Sequence, residues 1–175
     1  MDKLDIVTDE SGNEVVLLPE IIFSNKQNIN WNDVEDYLGK YVGELIEIAE
    51  TRDIIYIGNK FPDEYGGSSY TRKTKGARAK AKANVAQGIR EMVEIATDKV
   101  YRENHKEKHS EDAHNGWFYY VTRFAIPLYN NEKKTGEYNV YSACLVVNHA
   151  ANGKMYLYDV VGIKKEASNP LKTIK

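Results

Sequence analysis

Three of the four histidines in this 175-residue chain fall in one short stretch, His105-Lys106-Glu107-Lys108-His109 followed by His114. On a helix His105 and His109 would share a face, one turn apart. Imidazole titrates near neutral pH and is the natural general acid or base there. Phosphodiester cleavage in RNA needs a base for the 2′-hydroxyl, an acid for the leaving oxygen and cations on the phosphorane. His105, His109, Lys108 and Arg123 are of those types, and they need neither a metal nor another cofactor. A metal reading fits less well. The zincin pattern His-Glu-x-x-His has Lys106 in its second place, Lys106 and Lys108 repel a cation, and the chain has a single cysteine. The competing reading of the stretch is a solvated polar linker.

Arg123 sits in the middle of an aromatic run from Trp117 to Leu128. Strand alternation places Phe118, Tyr120, Phe124, Ile126 and Leu128 on a core face, and Arg123 with Trp117, Tyr119 and Val121 on the opposite one. A guanidinium among aromatics on an open sheet suits phosphate binding and base stacking; packing on its tyrosine neighbours is the alternative. The last run repeats the pattern, with Tyr156, Tyr158 and Lys164 opposite Met155, Leu157, Val161 and Ile163. Tyrosines there would stack a base, donate a proton or only cover the sheet.

Arg72, Lys73, Lys75, Arg78, Lys80, Lys82 and Arg90 form a basic row with no acid between Thr71 and Arg90. Such a row can neutralise phosphates along a nucleic-acid backbone, or it can be a solvated helix face. It belongs to a wider asymmetry. Residues 1–64 hold 15 acids against 5 bases, a net of −10, and residues 65–175 hold 19 bases against 11 acids, a net of +8. The acidic third could therefore screen the basic row in the free protein.

These groups need elements to position them. Asn30 before Trp31 reads as an N-cap, and the stripe Val34, Tyr37, Leu38, Tyr41, Val42, Leu45, Ile46 and Ala49 predicts a helix ending near Thr51. Residues 53–58 predict a short buried strand and residues 61–69 a loop. Alanine, lysine, glutamate and methionine content predicts one long helix from about Thr71 to Arg102, with Gly76 and Gly88 as interruptions. After a polar link, Trp117–Leu128, Glu137–Asn148 and Met155–Lys165 predict three strands joined by hairpin turns at 130–136 and 150–153. The expected fold is α+β, with N-terminal helices packed on a roughly four-stranded antiparallel sheet. Residues 1–20 would be an extension, 21–170 the single domain and 171–175 a tail.

Composition narrows the class. With 42% hydrophobic and 29% charged residues the chain can bury a core, and it is neither collagenous nor wholly disordered. No apolar run approaches the roughly 18–20 residues of a membrane-spanning helix, so no membrane partner is expected. The start lacks a signal-peptide pattern and the lone Cys144 excludes a disulfide scaffold; a cytoplasmic protein is expected. Cys144 lies in an apolar strand and reads as a buried hydrophobe, and no phosphate-binding Gly-rich motif is present.

Three stretches carry a resemblance: Ile22-Phe23-Ser24-Asn25-Lys26-Gln27-Asn28-Ile29-Asn30-Trp31, Lys108-His109-Ser110-Glu111-Asp112-Ala113-His114-Asn115-Gly116-Trp117, and Tyr156-Leu157-Tyr158-Asp159-Val160-Val161-Gly162-Ile163-Lys164-Lys165-Glu166. From about Ile21 to Pro170 the chain resembles a phage and mobile-element nuclease family named after barnase, EndoU, colicin and RelE, often found as modules of large polyvalent phage proteins. The resemblance implies a small α+β fold with a metal-independent ribonuclease site on the open sheet face, and cleavage through a 2′,3′-cyclic phosphate. It carries the family's Lys-His pair onto Lys108 and His109, its strand arginine onto Arg123, and its Tyr-x-Tyr-Asp strand onto Tyr156, Tyr158 and Asp159. RNA, tRNA included, is then the expected partner, with an immunity or host-defence protein as a second one. A non-catalytic phage-encoded binder, either an inhibitor of a host defence protein or a nucleic-acid accessory factor, would keep the same basic surface without the histidine chemistry.

Overall fold

A computed structural model describes residues 3–24, 28–103, 115–166 and 170–172. The fold is α+β, as expected, but its sheet is larger and mixed. The three long runs form β6 (Trp117–Asn130), β7 (Lys133–His149) and β8 (Met155–Lys165), an antiparallel meander. Around it stand β1 (Ile6–Thr8), β2 (Glu14–Leu17), β3 (Leu45–Glu47), β4 (Ile54–Tyr56), β5 (Thr97–Arg102) and β9 (Leu171–Lys172). The order is β1-β2-β6-β7-β8-β4-β3, with β5 on β6 and β9 on β7. The contacts β2–β6 and β4–β8 are parallel. The four-strand antiparallel expectation fails because short segments, most of them from the N-terminal third, add to the meander, and they bury side chains such as Val15, Val16 and Ile55.

The helical part is more broken than the composition suggests. Asn30 caps α1 (Trp31–Leu38) by accepting from the N–H groups of Asn32 and Asp33, as read from the sequence. The helix then stops, a 3-10 turn follows at Gly39–Tyr41, and Leu45 and Ile46 enter β3 instead of continuing the stripe. The loop expected at 61–69 is mostly α2 (Phe61–Gly67), with Pro62 in the first turn where its missing N–H costs nothing.

The long helix expected over 71–102 is replaced by α3 (Ser69–Lys73), α4 (Gly76–Asn84), a 3-10 turn at Val85–Gly88, α5 (Ile89–Glu94) and β5. Thr74 and Lys75 are extended and end the first piece. Gly88 lies so near β2 that a Cβ there would stand 3.0 Å from Leu18 Cδ2. Residues 97–102 pair with the first half of β6, whose outer edge would otherwise be open. Breaking the run frees carbonyls, and hydroxyls meet three of them: Tyr65 donates to Lys82 O at 2.5 Å, Tyr41 to Ala86 O at 2.6 Å and Thr122 to Met92 O at 2.7 Å.

Lys82 is the sharpest departure from the sequence reading. It is not part of a solvated cationic face: it is 0% exposed and ion-paired to Asp159, itself 1% exposed. Its Nζ also donates to Val160 O at 2.8 Å and sits 4.3 Å from the Tyr65 ring centroid. A bulge makes this possible. The β7–β8 register shifts between Val146 and Val147, so Leu157 and Val160, three apart, both join the core. Val161, expected on the core face, is half-buried instead, and a second shift beside Gly162 (φ +60°) returns Ile163 to the core. Burial pulls the Lys82 ammonium below its ordinary range, opposed by the charge and hydrogen bond of Asp159. Burial likewise pushes the Asp159 carboxyl up, opposed by Lys82 and by hydrogen bonds from Ser68 and the Val160 N–H.

Asp159→Ala would strand a buried ammonium and should cost about 3–5 kcal/mol in urea unfolding. The double variant Lys82→Met/Asp159→Leu removes both charges and should cost clearly less. Equal losses for the single and double variants would show that packing, not charge pairing, holds this site.

Candidate functional site

Lys73 at the end of α3, Lys75 before α4 and Arg78 in α4 line one wall of a groove of about 600 Å³, and Lys165 of β8 lines the other. Tyr70 and Tyr141 supply its aromatic surface, and none of its lining side chains is a carboxylate. The extended Thr74–Lys75 link lets the chain turn between the two helices and present Lys73, Lys75 and Arg78 to the same space. None of these four cations has a carboxylate partner among the described residues.

The groove is tied to the buried pair. Among the described residues β4 pairs with β8 only at Met155 and Tyr156, and no other described strand lies beside the rest of that β8 edge. Side chains meet it instead: the Tyr70 hydroxyl accepts from Ile163 N at 2.9 Å, and Lys82 donates to Val160 O. Lys82 Nζ also stands 4.9 Å from the Tyr70 ring centroid. On the β7 side, Tyr141 is stacked on Phe124 with ring planes 9° apart, and the register sets it opposite Lys165.

The structure separates the sequence-predicted site residues. Lys73, Lys75 and Arg78 are brought together in the groove; Arg72 is exposed on α3 but does not line it. Lys82 is removed from any binding surface by its burial. Trp117, Tyr119 and Arg123 do lie on the face opposite Tyr120 and Phe124, where Trp117 meets Tyr158 edge-on at 5.2 Å and the Arg102 guanidinium stands 5.7 Å from the Tyr119 ring centroid. Arg123 there is ion-paired, its Nε donating to Glu166 Oε1 at 3.0 Å, and Lys164 is exposed in the same cross-strand row two strands away, opposite Ser142. Tyr156 packs on Tyr56 at the far end of β8. His105, Lys108 and His109 lie outside the described residues.

None of the described residues of the acidic third lines the groove. Within that third, Glu44 pairs with Arg90, the last cation of the basic row, and Asp53 pairs with Lys99 at 2.8 Å. Burial raises the Asp53 carboxyl, yet hydrogen bonds from Lys99, Thr51 and Tyr120 and the Lys99 charge outweigh it and leave the group below its ordinary range. Sequence reasoning missed Tyr70, Tyr141 and Lys165. Tyr70 stands directly before the basic row, which was a usable signal. The other two come from separate strands, and only the β7–β8 register joins them to it.

Fold and site together define an α+β protein with a cationic, tyrosine-walled groove along the edge of its meander. No family model matches the chain, and no curated protein or solved structure does either.

The Arg123–Glu166 pair is partly solvated, with side chains 19% and 28% exposed, so it should contribute little to the fold. Arg123→Ala should lower stability by no more than about 1 kcal/mol in chemical denaturation. A loss several times larger would make Arg123 a structural residue and remove it from the site.

Proposed function

We propose that this protein binds single-stranded RNA, holding the phosphate backbone in the groove of Lys73, Lys75, Arg78 and Lys165 and a base against Tyr70 or Tyr141. The single observation that carries this reading is the convergence of four cations and two tyrosines on one concavity with no carboxylate in its lining. Cations tracking a backbone beside aromatic platforms are how proteins hold single strands without a fixed sequence.

Cleavage is the second part of the reading and rests on residue chemistry in the sequence. The proposed enzyme is a metal-independent ribonuclease of the phage and mobile-element type, acting in the bacterial cytoplasm. His109 takes the 2′-hydroxyl proton, the 2′-oxygen attacks phosphorus, the P–O5′ bond breaks, and His105 gives a proton to the departing oxygen. Lys108 balances charge on the phosphorane, and Arg123 joins it on release from Glu166. The chain leaves the described residues at Glu103 and re-enters at Asn115, whose N–H donates to His149 O at 2.8 Å.

Two measurements test the two parts separately. Fluorescence anisotropy with a short labelled RNA should show at least about tenfold weaker binding for Lys75→Glu/Arg78→Glu, and a shallower salt dependence, by about 0.7 per lost phosphate contact. Unchanged binding in that variant would sink the groove assignment. In EDTA, wild type should cut single-stranded RNA to 2′,3′-cyclic phosphate ends, and His109→Ala should not, with an unchanged melting temperature. Binding without cleavage would leave a non-catalytic RNA binder.

A further inference from the structure

At the opposite end of the β7–β8 ladder from the groove lies a second concavity, of about 270 Å³, between the Gly58–Lys60 loop, the start of α2 and the β7–β8 hairpin. Its walls are apolar and aromatic: Phe61 and Leu157, each 1% exposed, and the ring of Tyr156. That ring is held in place. Tyr56 packs against it with centroids 5.7 Å apart, Asn152 Nδ2 donates to its hydroxyl at 3.2 Å, and Gly58 leaves room for its edge, where a Cβ would stand 3.4 Å away.

One polar side chain among these walls has no counterpart. Asn148 is 5% exposed, and its Oδ1 is buried with no hydrogen-bond partner among the described residues. The register sets Asn148 opposite Trp117 on one side and Tyr156 on the other, and it lines the cavity. A buried amide oxygen without a donor is uncommon in a folded protein and asks for an explanation. An amide carries an acceptor beside a donor, and a half-turn about χ2 exchanges the two ends, so either can meet a ligand.

We propose that this cavity is a nucleobase site, in which Asn148 pairs with the hydrogen-bonding edge of a base that stacks on Tyr156. An apolar and aromatic wall with a few polar groups at its margin, here Asn59, Lys60, Glu64 and Asn148, is the usual anatomy of a small-ligand pocket. An asparagine amide matches an adjacent donor and acceptor on a base, adenine N6 and N7 being the best-known pair. The space equals that of about nine water molecules, close to the ten or so heavy atoms of a purine ring system. Lys60 and Glu64, one of each sign, both line the cavity, so its charge is balanced and suits a neutral ring rather than a phosphate. The base can come from a free nucleotide or from a strand. The assignment stands on this cavity alone and does not depend on the groove.

The test is titration of the isotope-labelled protein with each of the four nucleoside monophosphates, and with a short single-stranded RNA. The readout is the Asn148 side-chain NH₂ signal together with the Gly58 and Leu157 amides. Saturable shifts are expected with at least one mononucleotide, adenine foremost, and they should vanish in Asn148→Leu. That variant replaces an unsatisfied amide by an apolar group of the same branching and should remain folded, as a melting curve checks. The Lys75→Glu/Arg78→Glu variant should keep the mononucleotide shifts while losing RNA affinity. Shifts with RNA but with no mononucleotide would identify a base from a strand and uphold the site. No shift with any of these probes, or shifts that persist in Asn148→Leu, would overturn it, whether or not the groove binds RNA.

Discussion

The buried Lys82–Asp159 ion pair is the constraint around which this fold is arranged. A charge taken out of water is tolerated only when its partner and the remaining hydrogen bonds are in place. Here Asp159, Val160 O and the faces of Tyr65 and Tyr70 all meet one ammonium. That requirement fixes α4 against β8 and specifies the bulge that brings both Leu157 and Val160 into the core. It also fixes Tyr70, whose hydroxyl accepts from Ile163 N, and with it one aromatic wall of the groove. The groove thus inherits its shape from a pair that is itself buried away from it.

Charge in this molecule is sorted by tertiary pairing rather than by position in the chain. The acidic first third and the basic remainder meet across the fold, where Glu44 holds Arg90 and Asp53 holds Lys99. Lys82 is taken into the interior and Arg123 is held by Glu166. Lys73, Lys75, Arg78 and Lys165 are left facing one concavity. An almost neutral chain, at −2 overall, thereby presents a concentrated local positive field, which is the condition for holding a polyanion.

The meander carries a concavity at each end. The groove lies beside Tyr141 and Lys165, and the cavity lined by Asn148 and Tyr156 lies at the hairpin end of the same two strands. Seven residues of β7 separate Tyr141 from Asn148, a span of about 23 Å on a stiff ladder. A cationic groove at one end and a neutral aromatic cavity at the other suit the two chemically distinct parts of a nucleotide chain, its phosphates and its bases.

Much of the local structure was legible in the sequence by itself, because near neighbours determine it. Alternation marked the three long strands and placed Tyr120 and Phe124 inward and Arg123 outward; Asn30 marked its helix start; and two residues at positive φ, Asn131 and Glu132, turn β6 into β7 within the stretch that sequence assigned to a hairpin. Lys73, Lys75 and Arg78 could be recognised as a cationic row from spacing alone. What spacing could not give was which cation of that row is free. Lys82 has the same neighbours in sequence as the others, and its partner stands 77 residues away. The expected long helix failed for the same reason: the approach of Leu18 to Gly88 and the open edge of β6 act on residues that read locally as helix formers. Tyr141, Lys165 and Asn148 join their sites only through strand register. Sequence determined the period-two and capping patterns because those energies are set within a few residues. Tertiary structure alone decided burial, pairing and the two concavities, because desolvation and edge pairing depend on groups that the chain brings together only by folding.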